Sequence, residues 1–231
     1  LADLGAVAAG LAHEIRNPLN SLYINGQLLE EMLSELPEEG VPQKGDLLSL
    51  ARANLKVTQR LNDTLSGFLR FARPPAMELA LVDLNRIVSE TLRFLEMELA
   101  YRGISLKTKL HPTPLPILAD EKLLKQALLN LLLNAQEAVE KEEKVIRVTT
   151  GVRAGRPFVR IRDNGRGIPA SDRRHIFRLF FTTRKSGSGL GLPIVRQIVR
   201  QHGGAVYVRS REGQGTTMTV ALLFEEQFRA M

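Results

Sequence analysis

Between Leu1 and Leu36 an apolar residue returns at every seventh position: Leu1, Ala8, Ile15, Leu22, Leu29 and Leu36. Leu4, Leu11 and Met32 fall three places after members of that row. A repeat of seven suits one stripe of an α-helix and no strand, so the spacing predicts a single long helix. Pro37–Gly45 (PEEGVPQKG) is turn chemistry. A second helix is predicted from a cap at Asp46 to about Phe71, with Leu48, Ala51, Leu55, Thr58, Leu65, Leu69 and Ala72 as its stripe, widened by Leu47, Leu50, Leu61 and Phe68. Two antiparallel helices with stripes this wide leave apolar surface uncovered. A homodimeric four-helix bundle is the expected solution, and a monomeric hairpin packed on the rest of the chain is the alternative.

Arg73-Pro74-Pro75 ends the second helix and marks a stiff linker, dividing the chain into segments 1–75 and 76–231. Beyond it the period changes. Helices are expected from Asp83 to about Tyr101, over Asp120–Glu142, over Ser171–Phe180 and over Leu190–Gln201. Strands are expected at Ile104–Leu110, Leu115–Ala119, Val145–Val152, Pro157–Arg162, Val206–Arg209 and Thr216–Phe224. The fold class is therefore α+β: a helical hairpin followed by an α/β sandwich with its helices on one sheet face.

Charge follows the same division. Residues 1–75 hold seven Lys/Arg against nine Asp/Glu, and residues 76–231 hold twenty-five against sixteen. A basic half suits nucleic acid, a polyanionic nucleotide or solubility alone. With 5% aromatic residues and no tryptophan, stacking on single-stranded nucleic acid is poorly provided for, and no nucleic-acid partner is expected. The absence of cysteine removes disulfides, thiolate metal sites and cysteine nucleophiles. No apolar run approaches the roughly 18 residues of a membrane span, so these residues are expected to be cytoplasmic; an anchor upstream stays open, because the chain begins inside a helical pattern.

Four clusters carry chemistry. In Ala12-His13-Glu14-Ile15-Arg16-Asn17-Pro18-Leu19-Asn20, helical spacing puts His13 and Asn17 one turn apart, with Glu14 beside His13. An imidazole can accept a phosphoryl group while a carboxylate holds the proton of its other nitrogen. Asn130 and Asn134 share one face of an otherwise apolar helix; their amides either bond nearby backbone or face a ligand, and could coordinate Mg²⁺ through oxygen. Asp163-Asn164-Gly165-Arg166-Gly167-Ile168-Pro169 follows an apolar strand and is a tight turn whose Asp can accept from an exocyclic amine. The run Phe177 to Leu192 places Gly187, Gly189 and Gly191 around the start of a helix, where free backbone N–H groups suit phosphate, with Arg184 or Lys185 as a γ-phosphate partner.

In this order the clusters resemble the H, N, G1, F and G2 boxes of sensor histidine kinases, and Gly213-Gln214-Gly215-Thr216-Thr217 resembles the family's last glycine box. The resemblance spans His13 to Thr217. It implies a dimerisation and histidine-phosphotransfer hairpin followed by an ATP-binding domain of the gyrase/Hsp90/MutL type. It implies that His13 is phosphorylated with Glu14 and Asn17 in support. ATP contacts are carried over to Asn130, Asn134, Asp163, Gly165, Gly167, Ile168, Arg184, Lys185, Gly187, Gly189, Leu190, Gly191, Leu192 and Thr216, and Mg²⁺ to Asn134 and Asn130. It implies as partners a second copy, a response-regulator receiver domain and an upstream sensor module. The Phe-Phe-Thr-Thr-Arg-Lys run is similar to the nitrogen-regulator subgroup, whose members often also dephosphorylate the regulator. Glu137 departs from the pattern, because a basic or polar residue often stands one turn after the second asparagine.

Three other readings are weaker. A related water-activating ATPase needs a carboxylate one turn before Asn134, where this chain has Asn130. A nucleic-acid module lacks a recognised motif, and a degenerate scaffold lacks a missing catalytic residue.

Overall fold

The computed structural model describes residues 2–35, 44–72, 76–140, 142–184 and 187–229, apart from the side chains of residues 2–14, 16, 18, 44, 60, 63, 70, 71 and 229. The chain separates into two compact units, Leu1–Pro75 and Ala76–Met231.

The first unit is a hairpin of α1 (Ala2–Glu35) and α2 (Lys44–Ala72). The helix α2 begins two residues before Asp46, which lies in its first turn. Its stripe faces α1: Ala51 and Thr58 are buried and Leu48, Leu55, Leu65 and Leu69 are half-buried. The flanking Leu47, Leu50 and Leu61 remain exposed. On α1 Leu19 and Leu33 are buried, while the heptad row at Ile15, Leu22 and Leu29 is about half exposed (47%, 59% and 48%). Polar bonds fix the pairing of the helices: Asn62 Nδ2 donates to Asn20 Oδ1 at 3.1 Å, and Arg52 Nε to Glu30 Oε1 at 2.8 Å.

The second unit contains β1 (Ala80–Asp83), α3 (Leu84–Tyr101), β2 (Ile104–Lys109), β3 (Pro116–Ala119), α4 (Glu121–Ala138), β4 (Lys144–Arg153), β5 (Arg156–Asp163), α5 (Gly191–Gln201), β6 (Ala205–Arg211), β7 (Gly215–Ala221) and α6 (Glu225–Arg229). The main sheet runs β2-β4-β5-β7-β6, with β2 parallel to β4 and the other pairs antiparallel. The antiparallel pair β1-β3 forms a second, small sheet. Alternate residues of the main sheet, among them Ile146, Val148, Val159, Ile161, Met218 and Val220, join the apolar faces of α3, α4 and α5 in one core. The helices thus line one sheet face, as expected.

Two helix caps also hold tertiary structure. Asp83 Oδ1 accepts from Asn85 N at 3.0 Å and Leu115 N at 2.8 Å. Asp120 Oδ1 accepts from Leu123 N at 3.0 Å, and its Oδ2 from Glu78 N at 2.9 Å. Behind Asp120, the buried His202 accepts from Asp120 N through Nε2 at 2.9 Å. This leaves Nδ1 to donate to Ile198 O at 2.8 Å, so the ring is held neutral.

Two expectations are corrected, and one strand was not foreseen. Residues 171–180 form successive turns rather than a helix, because the bonds there skip between three- and four-residue spans: His175 N to Asp172 O, Ile176 N to Asp172 O, and Arg178 N to His175 O. The helix expected to reach Glu142 ends at Ala138, whose carbonyl accepts from Arg166 N at 3.0 Å. The strand β1 has no counterpart among the expected elements.

Candidate functional site

A cavity of about 350 Å³ opens in the second unit between α4, the end of β5, the Gly165–Pro169 turn, the 181–189 loop and the start of α5. Its chemistry begins with the spacing on α4. Leu124, Ala127, Leu128, Leu131, Leu132 and Ala135 take the buried face of that helix. Asn130, Asn134 and Glu137 then fall together on the flank that lines the cavity.

Asp163 ends β5 and is buried to 5% exposure. Both backbone bonds to its side chain fall on one oxygen: Oδ1 accepts from Gly165 N at 2.9 Å and Thr216 N at 3.1 Å. Burial pushes its carboxyl pKa upward, against its backbone donors and the nearby Arg162. A second carboxylate oxygen is left for a donor in the cavity. The turn around it is packed too closely for side chains. A Cβ on Gly165 would stand 2.1 Å from Ala138 O, and one on Gly215, at φ +107°, would stand 2.2 Å from Asp163 O. Ser210 Oγ, which accepts from Ile168 N at 2.8 Å and meets Thr216 Oγ1 at 2.9 Å, ties the turn to the β6–β7 hairpin.

Opposite Asp163 the loop residue Arg184 reaches back to α4. Its Nη1 donates to Asn134 Oδ1 at 2.9 Å and to Glu137 Oε2, and its Nη2 donates to Asn134 O at 3.1 Å. Burial lowers its pKa and Glu137 raises it, with burial the larger effect. The helix α5 begins at Gly191 with no side-chain cap, so its first N–H groups face the cavity beside Asn130 and Asn134.

Of the sequence-predicted nucleotide residues, Asn130, Asn134, Asp163, Gly167, Ile168, Arg184, Gly187, Gly189, Gly191, Leu192 and Thr216 line this cavity. Two do not. Gly165 packs on Ala138, and Leu190 is 2% exposed in the interior. Lys185 lies outside the described residues. Sequence reasoning missed Ile161 and Met218, whose side chains form an apolar wall. They sit two residues from Asp163 and Thr216 on the same strand faces, and that parity was the available signal.

A buried carboxylate with a free oxygen, an apolar wall, a glycine-lined entrance and uncapped helical N–H groups suit a purine joined to a polyphosphate. The neutral oxygens of Asn130 and Asn134 suit a hard cation riding on that phosphate, because they add no charge. Arg184 holds one of them.

In the first unit His13 and Asn17 lie one turn apart on α1. The side chains of His13 and Glu14 lie outside the described residues. Asn17 is exposed, and its carbonyl accepts from Ser21 Oγ at 3.2 Å. The helix continues through Pro18, which has no N–H to give.

Comparison with known proteins accounts for both units. Residues 3–76 match the His Kinase A (phospho-acceptor) domain, and residues 119–226 match the family described as histidine kinase-, DNA gyrase B- and HSP90-like ATPase. The sensor histidine kinase ZraS of Escherichia coli K12 is 38% identical over 222 residues, which is 96% of this chain and 46% of that protein. The chain thus spans about half the length of this relative. Full-length ShkA in complex with AMPPNP is similar with a TM-score of 0.75 and 29% identity over 95% of this chain and 46% of that one. The catalytic domain of the histidine kinase ThkA is covered completely by 66% of this chain, with 30% identity and a TM-score of 0.60. ThkA in complex with the response regulator TrrA matches 95% of this chain and 61% of that one, with 28% identity and a TM-score of 0.66.

Proposed function

The chain belongs to the sensor histidine kinases of two-component systems, and from that premise we propose that it binds ATP, transfers the γ-phosphoryl group to His13 and passes it to an aspartate of a response-regulator receiver domain. The observation that carries the reading is the buried Asp163. One of its oxygens is held by Gly165 N and Thr216 N, and the other is available to the adenine amine. The N–H groups of α5 and Arg184 then meet the phosphates.

A ring nitrogen of His13 attacks the γ-phosphorus. The N–P bond forms as the bond to the β,γ-bridging oxygen breaks, and ADP leaves with that electron pair. Glu14 holds the proton on the other ring nitrogen. The aspartate of the regulator then displaces His13 at phosphorus, so an O–P bond replaces the N–P bond. When bound, Mg²⁺ would be held by Asn134 and Asn130 and would offset the phosphate charge. Asn130, having no basic oxygen, does not activate water, which preserves the phosphoryl group for His13. Asn17 is assigned to dephosphorylation of the regulator.

The exposed row Ile15, Leu22 and Leu29 supports a homodimer, with residues 1–75 as its bundle and residues 76–231 as the ATP-binding part. That ThkA is found with a response regulator supports the partner, and the length of ZraS supports a sensor module outside this chain. Incubation with γ-labelled ATP tests the whole reading. Label on the wild type should be acid-labile and alkali-stable, and should vanish in His13→Gln while ATP binding persists. Label retained by His13→Gln would refute His13 as acceptor.

A further inference from the structure

The face of the main sheet turned away from the helices carries charge of one sign only. The register across all five strands puts Lys107, Arg147, Arg162, Thr217 and Arg209 in a single row. The next row holds Lys109, Thr149, Arg160, Thr219 and Tyr207. No outward position on these strands is acidic. Lys107, Lys109, Arg147, Arg162 and Arg209 are exposed. None of the six cations in the two rows takes part in an ion pair among the described residues. Like charges facing each other across neighbouring strands destabilise a sheet. Here Arg147 stands between Lys107 and Arg162 on its two neighbouring strands.

We propose that this open sheet face is a docking surface for an anionic lipid bilayer. Five strands about 4.8 Å apart spread the cations over roughly 20 Å, a broad patch rather than a line or a groove. Charge spread in two dimensions matches a field of lipid headgroups, and each basic residue near such a surface adds to the attraction. Tyr207, 57% exposed at the edge strand β6, has the amphipathic ring suited to a headgroup layer. Single-stranded nucleic acid fits less well. Its bases need free aromatic faces, and the other aromatic residue on this face, Phe158, has its ring covered by the Arg160 guanidinium at 4.9 Å. Docking leaves the nucleotide cavity accessible, because its strand residues Ile161, Asp163, Thr216 and Met218 alternate to the opposite face.

The test uses the 231-residue chain with vesicles of phosphatidylcholine alone and of phosphatidylcholine mixed with phosphatidylglycerol, read by co-sedimentation. Binding is expected on the mixed vesicles only and should fall as salt is raised. The combined substitution Arg147→Glu, Arg162→Glu and Arg209→Glu should weaken it about 100-fold or more. The same change of charge on exposed residues elsewhere, Arg93→Glu with Arg173→Glu and Arg174→Glu, should weaken it no more than about threefold if the sheet face is the docking surface. Should the first variant fail to fold by circular dichroism, the Gln version at the same three positions replaces it, with an expected loss of about tenfold. No binding to the mixed vesicles, equal losses in the two charge-reversed variants, or tighter binding to a single-stranded or duplex DNA 30-mer than to the vesicles overturns the proposal.

Discussion

Arg184 Nη1 donates to Asn134 Oδ1 at 2.9 Å across fifty residues of chain, and the same guanidinium is anchored by Glu137. The amide oxygen assigned to Mg²⁺ therefore already has a cationic partner. A divalent cation arriving there has to displace Arg184, which is then released toward the phosphates. Glu137 is the anchor of this latch, and it is half exposed, so the ion pair contributes only about 1 kcal/mol. Glu137→Gln should loosen the latch and tighten Mg-ATP about three- to tenfold. ATP in the presence of a chelator should gain less, because it uses the freed Arg184 but not the freed amide oxygen of Asn134. Fluorescence titration with and without Mg²⁺ checks both, and an unchanged Mg-ATP affinity means that the latch opposes nothing.

Asp163→Asn separates binding from folding. The amide oxygen can still accept from Gly165 N and Thr216 N, but its nitrogen then presents a donor to the adenine amine. ATP affinity should fall about 100-fold or more. Burial raises the folded-state pKa of Asp163, so its contribution to stability is present at low pH and is lost as pH rises through that raised value. At neutral pH the wild type holds a penalised carboxylate that the variant lacks. Thermal unfolding at pH 7.5 should show the variant at least as stable as wild type, and a lower melting temperature would contradict this account.

His202 makes the opposite prediction for pH. Burial lowers its pKa below the ordinary 6.5, and the nearby Asp120 opposes this only in part. The unfolded chain then takes up the proton first. Stability is fully present above about 6.5 and declines as pH falls from there through the lowered folded-state value. Protonation would give Nε2 a hydrogen where Asp120 N already donates. His202→Gln should be less stable by about 1–3 kcal/mol at pH 7.5 and should lose the slope that appears as pH falls below 6.5. Denaturant melts across that range measure both quantities.

What could be read beforehand followed from period and from chemically distinctive residues. The α4 helix declared itself through its apolar face, which left Asn130 and Asn134 conspicuous, and Asp163 stood out between a strand and two glycines. The strand β1 was illegible because its four residues pair only with β3 and expose Leu81, giving no alternation. The parallel pairing of β2 with β4 depends on where α3 and α4 pack, which no local pattern records. The helix read over 171–180 had the right composition, but Pro169 and the left-handed Phe180, at φ 62°, bound a segment that closes as turns. Ile161 and Met218 looked like core residues, and only the cavity distinguishes them.

The exposed row on α1 leads to a prediction about assembly. Leu22 and Leu29 share the heptad position of Ile15 and are about half exposed, whereas Leu19 and Leu33 are buried. Leu22→Glu with Leu29→Glu should convert a dimer to monomer in light scattering while leaving ATP affinity unchanged, because the cavity is built wholly from the second unit. A variant that stays dimeric places the interface elsewhere.

Asn17 gives the sharpest division between the two halves of the proposed chemistry. It lies one turn beyond His13 on α1 and is exposed, so its amide is accessible to a docked regulator. Hydrolysis of an aspartyl phosphate needs a water in line with the phosphorus, which is a matter of positioning more than of proton removal. An amide suits that task, accepting from the water while donating to a nearby oxygen. His13 attack on ATP does not need it, because Glu14 is the adjacent carboxylate. If Asn17 merely solvated the helix before Pro18, its removal would leave every reaction alike. Asn17→Ala should therefore keep autophosphorylation and transfer within about threefold of wild type, while dephosphorylation of the regulator falls about 100-fold or more. Parallel assays with one labelled regulator check the split. Loss of autophosphorylation, or dephosphorylation at the wild-type rate, would remove Asn17 from this role.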